Sequence, residues 1–263
     1  MRCVLTIAAS DSSCGAGVQA DLAVFRDFNL YGLCVVTNVT AQNSSGVQKI
    51  NKVPPTIIAS QIDSCVKDFN VAACKIGMLY HPTAVGIVSE RISRRKIPNV
   101  VLDPVMEAKN GECLLTPTAF KRLKKQLFPK ATVITPNINE ASRICGIDIV
   151  NKEDIILSAK KIYDMGCKNV LIKGGHLLGK PLDILYNGKD IFEFEDERLE
   201  KRMHGTGCVL SSAIAAELAN GLEINDAVSN AKKYVTRAIE FSQKLGKKNM
   251  DYFVGVKNTI ADS

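Results

Sequence analysis

The sequence predicts an α/β fold, a mostly parallel sheet covered by helices on both faces. Short apolar runs rich in Val, Ile and Leu alternate with longer segments of helical spacing along the chain. Polar or glycine-rich loops follow many of the runs, as expected where ligands bind beyond the carboxyl ends of parallel strands. The composition, 46% hydrophobic and 23% charged over 263 residues, is enough for a large core without disulfide or metal staples. No linker, repeat or composition shift divides the chain, so residues 1–263 are expected to form one domain.

Residues 3–8 are a short apolar run ending in a Ser/Gly-rich loop, which suits a buried first strand. Residues 16–29 carry Val18, Leu22, Phe25 and Phe28 at helical spacing. Residues 33–40, rich in Val and Thr, read as a strand, and the alternation over 47–53 reads as a more exposed one. Helices are expected over 56–69, behind Pro54-Pro55, and over 83–95, opened by Pro82, with a short strand at 74–76 between them. Strands at 100–102, 132–134 and 170–172 then alternate with helices at 117–127 and 153–165. Segments 182–186 and 191–194 flank Asn187-Gly188, a strong hairpin turn. Helices over 207–220 and 224–244 close the pattern.

The net charge of +7 comes from short basic pieces on expected helix faces, and no block of five or six like charges occurs. With no Trp and 6% aromatics, a base-stacking surface would be poor, which argues against nucleic acid. The nine cysteines are odd in number and lack C-x-x-C spacing, so neither a zinc site nor a disulfide framework is supported. Cys34 and Cys167 lie in apolar surroundings, and a reducing cytosol fits best. The first apolar run is too short for a signal core, and nothing approaches the roughly 20 apolar residues of a membrane span.

The sharpest local signal is Gly205-Thr206-Gly207-Cys208, a glycine-rich turn entering a helix of small and apolar residues. Free N–H groups and the helix dipole at such a start attract anions, and glycine lets a phosphate come close. The spacing matches neither a Walker A loop nor G-x-G-x-x-G, and a plain glycine-rich cap is the competing reading. Cys208, in the first helical turn, is expected to have a lowered pKa from the dipole. It could accept a proton from a substrate hydroxyl, act as a nucleophile, or simply pack.

Asp103 ends a buried strand, a common place for a carboxylate near magnesium. Asn137 and Glu140, three apart at a helix start, could serve one metal–phosphate unit or form a capping box. Lys173 stands at a strand end before two glycines, where it could meet phosphate oxygens or solvent.

Residues 8–21, Ala-Ala-Ser-Asp-Ser-Ser-Cys-Gly-Ala-Gly-Val-Gln-Ala-Asp, resemble the opening signature of the hydroxymethylpyrimidine/phosphomethylpyrimidine kinases, within the ribokinase-like family. So do Thr40-Ala41-Gln42-Asn43, Lys75-Ile76-Gly77-Met78-Leu79, Val101-Leu102-Asp103-Pro104-Val105-Met106, Thr135-Pro136-Asn137 with Glu140-Ala141, Lys173-Gly174-Gly175-His176 and His204-Gly205-Thr206-Gly207-Cys208. The motifs occur in order over nearly the whole chain.

The resemblance implies a three-layer αβα ribokinase-like fold, ATP with Mg²⁺, a small-molecule substrate and a cytoplasmic homodimer. It implies phosphorylation of 4-amino-5-hydroxymethyl-2-methylpyrimidine to its monophosphate and then to the diphosphate in thiamine biosynthesis. Gly205, Thr206, Gly207 and Cys208 would form the anion hole, with Cys208 the catalytic base. Ala9, Asp21, Gln42, Met78 and Val105 would line the pyrimidine site. Lys173, Asn137 and Glu140 would face the nucleotide, with Asp103 and Glu140 on the metal. Gln42 suits an aminopyrimidine because an amide can donate to a ring nitrogen while accepting from the exocyclic amine. A pyridoxal kinase of the same branch is the alternative, and a noncatalytic pyrimidine-phosphate regulator a more distant one.

The chain departs from the family pattern at Ala9, where Gly is frequent, at Ser12, often Pro, and at Cys14, often Gly. Asn110 and Glu112 replace the more usual Ser and Asp after Lys109. None of these removes a catalytic group. Residues 103–111 are expected to act as a flap.

Overall fold

The computed structural model describes residues 1–108, 110–175, 181–201 and 203–256. The first half runs β1 (Cys3–Asp11), α1 (Gly17–Asp27), β2 (Tyr31–Asn43), β3 (Gly46–Lys52), α2 (Pro55–Asp68), β4 (Val71–Ile76) and α3 (Pro82–Arg95). Then come β5 (Val100–Leu102), α4 (Pro117–Gln126), β6 (Val133–Ile134), α5 (Ile138–Cys145), α6 (Lys152–Tyr163) and β7 (Val170–Ile172). The hairpin of β8 (Leu182–Tyr186) and β9 (Ile191–Glu195) precedes α7 (Thr206–Asn220), α8 (Ile224–Glu240) and a small pair, β10 (Gln243–Leu245) and β11 (Met250–Tyr252).

The nine-stranded sheet has the order β3-β2-β1-β4-β5-β6-β7-β8-β9. Strands β2, β1, β4, β5, β6 and β7 are parallel, and β3, β8 and β9 add antiparallel edges. Successive side chains of a strand point to opposite faces, and the core divides accordingly. Leu5, Ile7, Val100, Leu102, Val170 and Ile172 join a cluster with Ile58 of α2, Val85 of α3, Leu123 of α4, Ile144 of α5 and Ile162 of α6. Val4, Val101, Val133 and Leu171 join a second one with Phe25 of α1, Val209 of α7 and Ala227 of α8. These are the three layers, helices on each side of one sheet. Because both faces are covered, the inner strands are almost continuously apolar.

Helix α7 is buried along nearly its whole length, which explains why its residues are small and apolar on every side. The helix expected over 224–244 stops instead at Glu240. Gly246 and Asn249 take positive φ values of 71° and 46°, turning the chain so that β10 folds back on β11. Among the described residues, no helix is long and apolar enough to cross a membrane.

Candidate active site

The parallel strands point the same way, so the segments after β1, β4, β5, β6 and β7 share one rim. Helix α7 opens onto that rim. Its N-cap, Gly205, has φ +75°, and no side chain caps the helix. A Cβ at Gly205 would lie 1.9 Å from the Gly15 carbonyl oxygen, so glycine lets the turn seat on the loop after β1. A Cβ at Gly207 would lie 3.2 Å from Lys173 Nζ and 3.9 Å from Asp103 Oδ2. The glycine-rich turn, Lys173 and Asp103 thus converge, as the sequence led us to expect.

Lys173 Nζ is 3.2 Å from Asp103 Oδ1. Burial would lower the Lys173 pKa, but Asp103 and Glu140 outweigh it and hold the ammonium charged. Thr135 Oγ1 donates to Asp103 Oδ1 at 3.3 Å, and Ser211 of α7 adds a long contact to Oδ2 at 3.4 Å. Asn137 and Glu140 form the capping box of α5: Asn137 Oδ1 accepts from the Glu140 N–H at 2.9 Å, and Glu140 Oε2 accepts from the Asn137 N–H at 2.8 Å. Burial, with Asp103 adding to it and Lys173 opposing, pushes the Glu140 carboxyl up to about 7. The Glu140 carboxylate also accepts from the Met106 N–H, while Asn137 Nδ2 has no hydrogen bond from the capping pair.

Cys208 is partly buried at the start of α7. The sulfur receives the Gly17 N–H at the start of α1, so it faces two helix N-termini. The lowered pKa expected from the dipole is not found. Burial pushes the thiol up to about 11, Asp103 and Asp21 reinforce the rise, and Lys75 and the Gly17 N–H only partly oppose it.

Ala9, Met78 and Val105 come together with Val47 and Leu114 in a small third apolar cluster. The register of β1 against β2 shifts between Ala8 and Ser10, which turns Ala9 toward this cluster. Asp21 is a correction. It is wholly buried, and its two oxygens accept from Lys75 at 2.8 and 2.9 Å, Thr6 at 2.6 Å and Ser212 at 2.7 Å. No lone pair is left for a substrate, so Asp21 does not line the pocket but anchors β1, β4, α1 and α7 beneath it.

Gln42 differs from expectation in one arm. Its Nε2 lies 3.2 Å from Asp11 Oδ2 and 3.1 Å from His204 Nε2, so the donor end turns inward. Ser12 bonds reciprocally with the Gln42 backbone at 2.9 Å, tying the loop after β1 to the end of β2. Cys14, where the family often has Gly, takes φ 59°. Asn110 Nδ2 donates to the Val47 carbonyl at 3.3 Å, so the segment expected to be a flap rests against β3. Lys109 and His176 lie outside the described residues.

Several site residues were missed by the sequence reading. Lys75 was seen only as part of a motif, although a charged residue in the apolar run of β4 was a usable signal. Asp11 too was seen only as part of a motif, while Ser211 and Tyr252 carried none, because only the fold brings them to the rim.

Residues 11–252 match the family model described as phosphomethylpyrimidine kinase. The chain belongs to that family. A family relative from Aquifex aeolicus, named hydroxymethylpyrimidine/phosphomethylpyrimidine kinase, is 40% identical over 92% of this chain and 96% of its own length. The thiamine biosynthesis bifunctional protein ThiED of Geobacter sulfurreducens is 43% identical over 93% of this chain, which spans 50% of that longer protein. The crystal structure of Bacillus subtilis pyridoxal kinase in complex with ADP superposes with a TM-score of 0.90 at 37% identity, covering 96% of this chain and 97% of that one. The fold is that of the ribokinase-like vitamin kinases.

Proposed function

We propose that this protein transfers the γ-phosphoryl group of ATP to the hydroxymethyl group of 4-amino-5-hydroxymethyl-2-methylpyrimidine, and then a second one to the resulting monophosphate, in thiamine biosynthesis. Family membership supports the substrate class. The observation that carries the chemistry is the convergence of the 205–208 turn, Lys173 and Asp103 at one rim.

Phosphoryl transfer needs positioning and charge neutralisation more than covalent help from the protein. The free N–H groups of Thr206, Gly207 and Cys208, with Lys173, stabilise the negative charge on the transferred group. Asp103 and Glu140 supply hard oxygen donors suited to Mg²⁺, which takes few protein ligands and keeps waters and phosphates. No group of three or more His, Cys, Asp or Glu gathers among the described residues. The ion would shield the nucleotide phosphates, and Asn137 borders the same region.

Cys208 rests as a neutral thiol, so it takes the hydroxyl proton only from its minor thiolate form, which Lys75 and the Gly17 N–H favour. The acceptor of the second step is an already ionised phosphate and needs no such base. Ala9, Met78 and Val105 supply apolar contact to the ring. The protein incubated with ATP, Mg²⁺ and the pyrimidine alcohol, with products separated by charge, should yield monophosphate and then diphosphate. ATP left unconsumed would overturn the proposal.

The likeness to the B. subtilis enzyme favours one second reading, pyridoxal as substrate. Comparing kcat/KM on the two alcohols decides between them. The proposal includes a single domain over 1–263 and a cytoplasmic homodimer. The continuous sheet supports the first, and nine free thiols support the reducing compartment.

A further inference from the structure

His204 precedes the anion-binding turn, yet the transfer chemistry above leaves it without a role. Its imidazole packs edge-on against Tyr252, with ring centroids 5.7 Å apart. A Cβ at Gly15 would come within 2.3 Å of His204 Cδ2 and 2.7 Å of Tyr252, so the ring occupies a seat that only glycine leaves open. The backbone is fixed too, since the His204 N–H donates to the Asp251 carbonyl of β11 at 2.7 Å. His204 Nδ1 is buried with no hydrogen-bond partner among the described residues. A buried polar atom left orphaned is uncommon and invites a functional reading.

The other ring nitrogen meets the Gln42 amide at 3.1 Å, and Asp11 Oδ2 meets the same amide nitrogen at 3.2 Å. The direct separation from His204 Nε2 to Asp11 Oδ2, 3.8 Å, is too long for a hydrogen bond, so the amide bridges them. Asp11 accepts from the Ser13 N–H and hydroxyl, each at 2.8 Å, and from the Ala16 N–H at 2.9 Å, and a carboxyl so surrounded by donors is ionised at neutral pH. An ionised carboxylate accepts only, which forces the NH₂ end of Gln42 toward it. The second amide hydrogen then falls to His204 Nε2, which accepts it with the neutral ring carrying its proton on Nδ1. Both donors are used, and Gln42 Oε1 remains. Thr40 Oγ1 does not claim it, because its single proton goes to the Ser10 carbonyl at 3.0 Å and not to Oε1 at 3.4 Å.

We propose that Asp11 and His204 clamp the Gln42 amide with its carbonyl oxygen outward, so that the ring site selects a substrate presenting an N–H donor over one presenting oxygen. His204 is a positioning residue in this reading. The clamp rests on the proposed substrate class and sharpens it: the exocyclic amine of an aminopyrimidine donates to Oε1, whereas the aldehyde oxygen of pyridoxal meets it as one acceptor facing another. Recognition is one-armed, unlike the two-armed amide contact expected from sequence.

The test measures dissociation constants by calorimetry for the hydroxymethyl aminopyrimidine and for pyridoxal, in the unmodified protein, His204→Ala and His204→Gln. ATP binding checks that each variant is folded. The unmodified protein should prefer the aminopyrimidine. In His204→Ala the amide keeps only its hold on Asp11 and loses the second one that fixes its angle, and the preference should fall about five- to tenfold, the loss expected for one oriented hydrogen bond. His204→Gln, which can place an acceptor oxygen near the same point, should recover most of it. A general loosening of the turn would weaken both ligands together and leave their ratio unchanged. An unchanged ratio in His204→Ala, or an unmodified protein that binds neither alcohol, overturns the clamp. Retained selectivity without any phosphorylated product would instead overturn the proposed function and leave the clamp standing.

Discussion

Lys75 Nζ lies 2.8 Å from Asp21 Oδ1, and both side chains are wholly inaccessible to solvent. The pair joins β4 to α1 at the floor of the site. Breaking a buried pair strands one charge without water, which costs about 3–5 kcal/mol. Asp21→Asn should lower stability by that order, read as a shift in the urea midpoint. Adding Lys75→Met should return a good part of it. Burial would lower the Lys75 pKa, but Asp21 dominates and raises it above the ordinary 10.5. A raised lysine stabilises below its unfolded pKa, so this contribution should be intact at neutral pH and decline only as pH climbs beyond 10.5. Equal stability of wild type and Asp21→Asn would show that the pair is not formed.

Cys208→Ala should reduce kcat of the first phosphorylation by about 10²–10⁴, the range for loss of a general base. The second phosphorylation should lose much less. Because burial holds the thiol at about 11, the first-step rate should increase steadily from pH 7 upward while the protein remains folded. A flat profile, or equal losses in both steps, would remove the thiol from proton transfer. Iodoacetamide followed by peptide mass spectrometry should label the exposed Cys14 and Cys113 before Cys208.

Glu140, raised to about 7, is held protonated more easily in the folded protein than in the unfolded chain. Its contribution to stability is present below its ordinary value of 4.5 and lost as pH rises toward 7. Glu140→Gln keeps an acceptor for the Asn137 N–H and removes the buried charge. It should therefore be more stable than wild type at pH 8, by about 1–3 kcal/mol, with the difference vanishing near pH 4. The same change should raise the Mg²⁺ concentration needed for half-maximal activity. An unaltered Mg²⁺ requirement would exclude Glu140 from the metal site.

Cys14 occupies left-handed backbone at φ 59°. That region costs an L-residue about 1–2 kcal/mol, partly offset by the greater unfolded-state freedom of glycine, about 0.5–1 kcal/mol. Cys14→Gly should therefore stabilise the protein by about 0.5–1 kcal/mol, seen as a higher thermal midpoint. A lower midpoint would mean that the Cys14 side chain contributes contacts that outweigh its backbone strain.

The layered fold was legible because each strand and helix announces itself locally. The apolar runs at 100–102 and 170–172, and the turn at Asn187-Gly188, need no distant partner to be recognised. The end of α8 was not legible. Residues 243–245 are compatible with a helix, and they become a strand only by pairing with residues 250–252. The Gly205-Thr206-Gly207-Cys208 turn could be singled out from its glycines, while the thiol's proton affinity could not. A helix start argues for a lowered value, and the opposite outcome follows from burial beside Asp103 and Asp21, more than 100 and 180 residues away in the chain.

Residue order alone determined the alternation, the glycine-rich helix start and the membership in a family of vitamin kinases, since periodicity and motifs are properties of neighbours along the chain. Tertiary structure decided that Asp21 faces inward to Lys75, that the Gln42 amide turns its nitrogen toward Asp11 and His204, and that Cys208 rests as a thiol. Each of these depends on hydrogen bonds and electric fields between groups far apart in sequence, and those exist only once the sheet and α7 have closed on one another.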